Sequence, residues 1–364
     1  MTIVSVLCAG IFLFAGGSKE SAGKNLVEVR IGIHANEGGA PLAAVAKEQG
    51  FFEKYGIKPV FTVVESGPAE MTAMRADNRT LDAGYIGAGV AWNPIDGKGN
   101  QLSFIFLDCL SNAEMLLAKK GVFKDANGNK KYDNDEIFIG LKGARVYIEV
   151  GTTPGGWFKN LIELLNSDKK DEDKLWIDSE TSSYLAGYTA PNKNVVNKVT
   201  VINTLNSNLP AGMVSGGSMD IVAGFSPATS TILKTNKSVE SIATTVGNFP
   251  AEKSFPSTWV ASNNWIQENP TVAQNFINAL YEAALWRSEN MEAAMKSGEI
   301  ISQKPTGSFD STNLVAPSKA DYQKWFASKT DQGYTYMKAL YNSRIGNVPQ
   351  GNPVKTFEEA FNDT

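Results

Sequence analysis

Oxygen-bearing side chains recur at regular spacing through residues 125–136, DANGNKKYDNDE. Set on a twelve-position loop, Asp125, Asn127 and Asn129 take positions one, three and five. Lys131 offers its main-chain carbonyl at seven, Asp133 stands at nine and Glu136 at twelve. That order wraps oxygens around Ca²⁺ and closes the shell with a bidentate carboxylate. Position six is Lys130, where the sharp turn normally takes glycine. The competing reading is a plain acidic hairpin tip. The expectation is a structural Ca²⁺ in an insertion, remote from any ligand site.

A second chemical signal is VGTTPGGW at 150–157, placed after an apolar strand-like run and before a helical one. Main-chain N–H groups at a helix start attract negative charge, Thr152 and Thr153 add hydroxyls, and Pro154 suits the first turn. An ordinary capped helix is the alternative. His34 is the sole histidine and sits beside Asn36 and Glu37. It has no Cys/His partners to complete a zinc site, so hydrogen bonding to a solute is the functional reading, with a structural role as the alternative. Glu37 points toward an ammonium or ring N–H, which makes a zwitterion attractive. Ser66 and Gly67 form a third candidate loop, and Gly87, Ala88 and Gly89 a fourth. Trp157, Phe225 with its neighbour Ser226, and Trp259 are the candidates for lining a site. No P-loop, H-E-x-x-H or G-x-S-x-G occurs, and one histidine leaves little room for Ser-His or Cys-His catalysis.

These candidates need a scaffold. Apolar, β-branched runs at 27–33, 60–64 and 82–86 predict strands, with a helix over 41–52 between the first two. Strand, helix, strand implies a parallel sheet with right-handed crossovers, and ligands of such sheets sit beyond the strands' carboxyl ends. Further strands are predicted at 114–118, 144–150, 199–201 and 221–223, and helices at 157–165, 271–295 and 320–341. The 364 residues suggest about two domains. A net charge of −4 and a pI near 5.4 give no footprint for nucleic acid.

Residues 1–24 form a signal segment whose apolar run matches a secretory h-region and is too short to span a membrane. Cleavage after Gly17 is expected. Cys8 raises lipidation as an alternative, although Leu7 precedes it. With Cys8 removed, Cys109 remains as a small buried hydrophobe.

Several strings together resemble a family. PLAAVAKEQGFFEKYGIKPVF and ESGPAEMTAMRADNRTLDAGYIGAGVAW are similar to the amino-terminal lobe of ABC-importer solute-binding proteins of the nitrate, sulfonate, taurine and thiamine-precursor type. GLKGARVYIEVGTTPGGWF, LPAGMVSGGSMDIVAGFSPATS and WVASNNWIQENPTVAQNFINALYEAALW follow in the family's order, covering about 27–296. The 125–136 loop separately resembles EF-hand and dockerin-type loops. The family resemblance implies the periplasmic-binding-protein type II fold: two doubly wound α/β lobes with a ligand cleft between them. It divides the chain into lobe one (25–110 and 228–364) and lobe two (111–227). The implied role is that of an exported, extracytoplasmic monomer that binds a small-molecule solute, closes by a hinge and serves an ABC permease. An enzyme of the thiamine-precursor type and a sensory binding module are the alternatives.

Overall fold

The computed structural model describes residues 25–75, 78–87, 102–178, 197–249 and 255–326. The signal segment, Ala88, Gly89 and most of the helix expected at 320–341 lie outside the described residues.

In β1 (Val27–His34), Val29, Ile31 and Ile33 are all fully buried. β1 pairs in parallel with β2 (Ile57–Val64) from Val27 opposite Ile57 to His34 opposite Val64, and with β3 (Ala83–Gly87) on its other side. The helix predicted over 41–52 is two pieces, Gly39–Glu48 and Phe51–Lys54. Gly50 causes the break: its φ of 72° is the left-handed conformation that ends helices. The sheet continues through β11 (Phe255–Ser262), antiparallel to both β3 and β4 (Leu102–Ser111), to β12 (Leu314–Val315) at the edge. Its strand order is β12-β4-β11-β3-β1-β2.

The second sheet holds β5 (Met115–Lys119), β6 (Arg145–Ile148), β7 (Trp176–Asp178), β8 (Lys198–Asn203), β9 (Ile221–Gly224) and β10 (Val239–Thr244), in the order β10-β5-β9-β6-β8-β7. β6 is parallel to β8 and β9, while β5 runs antiparallel to β9 and β10. The expected boundary at 228 is corrected here. Helix Ala228–Thr235 and β10 belong to lobe two, because β10 pairs with β5 from Val239 opposite Lys119 to Thr244 opposite Met115. The chain returns to lobe one between β10 and β11.

The expected helix 271–295 is also two, Pro270–Glu289 and Met291–Ile301, and the first packs Phe276, Leu280 and Ala283 against lobe one. Arg287 from this helix is fully buried and pairs with Asp108 of β4 at 2.6 Å. Among the described residues no helix is long and apolar enough to cross a membrane.

Candidate functional site

The carboxyl ends of β1, β3 and β9 and the start of helix Thr153–Leu165 face one another across a cleft of about 580 Å³, counted with its solvent-facing mouth. Of the residues predicted from sequence, the cleft brings together His34, Asn36, Glu37, Gly67, Gly87, Thr152, Thr153 and Phe225. Gly87 and Thr153 nearly touch between the lobes, since a Cβ placed on Gly87 would lie 2.2 Å from Thr153 Oγ1. Phe225 is set by Asn206, whose side chain donates to the Phe225 carbonyl (3.1 Å) and accepts from its N–H (3.1 Å).

Four predicted residues do not line the cleft. Trp157 is fully buried in lobe two, donating from Nε1 to Thr245 Oγ1 at 3.0 Å and packing against Phe249. The helix that starts at Thr153 turns by about 100° per residue, which puts Trp157 with Phe158, Leu161 and Ile162 on the core side. Trp259, on β11, is likewise fully buried and donates to Asp108 Oδ2 at 2.8 Å. Ser66 is half-buried and accepts from the Glu70 N–H through its carbonyl (3.1 Å). Ser226 lies wholly beneath the surface and donates to Glu37 Oε1 at 2.5 Å, linking lobe two to lobe one.

Charge in the cleft comes from lobe one and from the crossing between lobes. Glu37 is 2% exposed. Its Oε1 also accepts from the Asp310 N–H (3.1 Å) and from Asn313 Nδ2 (3.0 Å), while Oε2 is buried without a partner. Burial raises its pKa, and the three donors oppose that rise. His34 Nε2 lies 2.7 Å from Oε2 of the fully buried Glu70. Burial raises the Glu70 pKa against the lowering influence of His34. Close approach of Glu70 needs glycine at two neighbours: a Cβ on Gly84 would sit 1.8 Å, and on Gly32 2.2 Å, from Glu70 Oε1.

Tyr85, an aromatic candidate from the sequence, also lines the cleft, as do Glu114, Ser111 and Asn313, which were not among the predicted residues. Glu114 lies on the short crossing from β4 to β5, accepts from Ser111 Oγ (2.7 Å), and has its pKa pushed up to about 7, chiefly by burial. The only sequence signal for it was an acid opening an apolar strand. Asn313 carried none, being brought in by β12 from far along the chain. Cys109, expected to be a buried hydrophobe, is 1% exposed at the cleft floor with its thiol pKa well above the ordinary value.

The 125–136 loop lies in lobe two between β5 and helix Asn134–Leu141, and none of its residues lines the cleft. Asp133 caps that helix in a reciprocal box with Glu136: Asp133 Oδ1 accepts from the Glu136 N–H and Glu136 Oε2 from the Asp133 N–H. Lys130 adopts φ 62°, the left-handed turn reserved for glycine at this position, and its N–H donates to Asp125 Oδ2 at 2.9 Å. Asp125 Oδ1 is buried with no partner. Glu136 Oε1 is taken by the Ala126 N–H at 2.6 Å. Among the described residues no three His, Cys, Asp or Glu side chains already converge as a metal shell.

With this geometry in view, the similarities to known proteins fall into place. The model of the NMT1-like family matches residues 22–141. A protein of Brucella abortus (strain 2308) named as a binding protein is 24% identical over 270 residues, 74% of this chain and 70% of its own. One of Bacillus subtilis (strain 168), named for binding aliphatic sulfonates, is 34% identical over 157 residues, 41% of this chain and 42% of its own. Among solved structures, the periplasmic aliphatic sulphonate binding protein SsuA of Escherichia coli superposes with a TM-score of 0.56 at 14% identity, covering 89% of this chain and 94% of that one. The periplasmic nitrate-binding protein NrtA of Synechocystis PCC 6803 gives 0.58 at 16% identity, covering 90% and 83%. The fold is therefore that of the periplasmic binding proteins, and the resemblance read from the sequence holds. These relatives carry the names of binding proteins rather than of enzymes.

Proposed function

We propose that this chain is the extracytoplasmic solute-binding component of an ABC importer, closing its two lobes over a small polar solute and passing it unchanged to a membrane permease. The observation that carries this reading is a cleft to which both lobes contribute hydrogen-bonding groups. The sole histidine is engaged by Glu70, and the Cys109 thiol is held protonated by burial. Closure is a hinge motion through the crossings, of which residues 112–114 between β4 and β5 are one. Thr153 and the N–H groups at the start of its helix supply fixed dipoles from lobe two. Export as a monomer follows from the same reading. The test is mass spectrometry of solutes retained by the exported, purified chain, with small-angle scattering before and after their addition. Recovery of the solute intact and a contraction on binding are expected. A chemically altered product would replace this reading with an enzyme on the same fold.

For the 125–136 loop, a structural Ca²⁺ is proposed. The buried, unpartnered Asp125 Oδ1 and the left-handed turn at position six support it. Asp125, Asn127, Asn129, Asp133 and Glu136 would hold the ion with the Lys131 carbonyl, bracing the entry to the helix.

A further inference from the structure

We propose that the solute taken by this cleft carries a protonated amine, received by Glu37 and Glu114. The inference rests on the solute-binding reading and adds the chemical class. Among the described lining residues the ionisable side chains are Glu37, Glu114, His34, Tyr85 and Cys109, with neither lysine nor arginine. The arginine behind the floor, Arg287, is fully buried and spent on Asp108, through Oδ1 at 2.6 Å and the main-chain oxygen at 2.8 Å. A simple anion entering here would meet two carboxyl groups and no fixed cation. Buried charge persists only where it is paired.

The orientation of Glu37 sharpens the point. Three donors, from Ser226, Asp310 and Asn313, hold Oε1. They fix the carboxyl group and leave Oε2, buried and unpartnered, as an acceptor in want of a donor. Glu114 is tied by Ser111 Oγ on one oxygen and stands on the crossing where the lobes join. An ammonium has three donors and no acceptor, so it satisfies carboxyl oxygens and favours their ionised form, whereas a nitrate or sulfonate group has to be met by their protonated form. Opposite, lobe two presents the Thr153 hydroxyl and helix-start N–H groups, which suit an oxygen-rich far end of the same solute. The amine faces lobe one and the crossing, and the polar remainder faces lobe two.

The test uses the full purified chain and a small-molecule extract of bacterial cells, split on ion-exchange resin at low pH into an amine-bearing fraction and an amine-free acid fraction. The amine-bearing fraction is expected to raise the melting temperature, and mass spectrometry of what the protein retains from it to reveal an amine. With that retained compound, Glu37→Gln and Glu114→Gln are each expected to weaken binding by roughly tenfold or more while circular dichroism stays native. A shift from the acid fraction alone would overturn the amine while leaving solute capture standing. No shift from either fraction would overturn both. Unchanged affinity in Glu114→Gln, should Glu37→Gln fail to fold, would by itself remove the carboxyl groups from recognition.

Discussion

The two lobes are built on one plan and furnished differently. β2-β1-β3-β11-β4 in the first sheet corresponds strand for strand, with the same parallel and antiparallel pairings, to β8-β6-β9-β5-β10 in the second. In each, the antiparallel fourth strand arrives by a crossing from the other lobe. Yet the end of β1 and the turn after it carry His34, Asn36 and Glu37, whereas the turn after β6 carries Gly151, Thr152 and Thr153. The buried tryptophans differ likewise: Trp259 of lobe one donates to Asp108, itself paired with Arg287, while Trp157 of lobe two donates to the Thr245 hydroxyl. Lobe one holds charge in its interior and at the cleft, and lobe two answers with hydroxyls and main-chain dipoles. A shared topology thus says where a site lies, and the side chains on equivalent loops say what it holds.

The contrast breaks most visibly at the tryptophans. Asp108→Ala leaves the Arg287 guanidinium buried and unpaired, and should cost about 3–5 kcal/mol in chemical denaturation. Thr245→Val, at the matching neutral bond, should cost only about 1 kcal/mol. If the two losses come out equal, the distinction between a charged and a neutral interior fails.

At the cleft, Thr153→Val should weaken solute binding by roughly tenfold, about 1.4 kcal/mol, with the melting temperature nearly unchanged. Calorimetry with whatever solute the protein retains checks it, and an unaltered dissociation constant would take lobe two's hydroxyl out of recognition. Gly87→Ala acts on the same seam by another route. Its Cβ would fall 2.2 Å from Thr153 Oγ1, so that hydroxyl must turn away, and calorimetry should report weaker solute binding of the same order as in Thr153→Val.

Glu114 provides a pH signature. Its pKa is about 7 in the folded protein against an ordinary 4.5, so between those values the folded chain keeps a proton that the unfolded chain has released. Stability in the absence of solute should therefore fall as pH rises through that window, and Glu114→Gln should flatten the slope. Melting temperatures of the two proteins at matched pH measure it directly. The smallest effect is expected at the 125–136 loop. Millimolar calcium should raise the wild-type melting temperature by a few degrees, with Asp125→Ala abolishing the gain. A wild type indifferent to calcium would return the loop to an acidic helix cap.

Much of this was visible along the chain. The strands at 27–33, 60–64 and 82–86 announced themselves as short apolar runs with β-branched content, and in β1 the buried Val29, Ile31 and Ile33 show the sheet's period of two. Loops lying directly after such strands had to meet at one sheet edge, which is why His34, Glu37, Gly87, Thr152 and Thr153 could be named in advance. Trp157 and Trp259 were named with them and are core residues. Nearness in sequence to a cleft loop does not give a side chain's azimuth on its helix or the face of its strand. Glu114 and Asn313 escaped for the opposite reason, since nothing local marks a residue whose role comes from distant partners. The placement of β10 depended on pairing with β5, a contact between segments more than a hundred residues apart.

Taken alone, the order of residues determined a parallel strand–helix–strand unit at 27–64, further strands and helices of a second lobe, loops rich in hydrogen-bonding groups, and an oxygen-spaced loop at 125–136. Those features arise from periodicity and turn chemistry, which act over a few residues. Only the tertiary structure decided that Glu37 would be clamped on one oxygen and bare on the other, and that Glu114 would be buried at the crossing. It alone withdrew arginine and lysine from the described lining. Burial and electrostatic pairing depend on which distant segments are packed together, and that is a property of the folded chain.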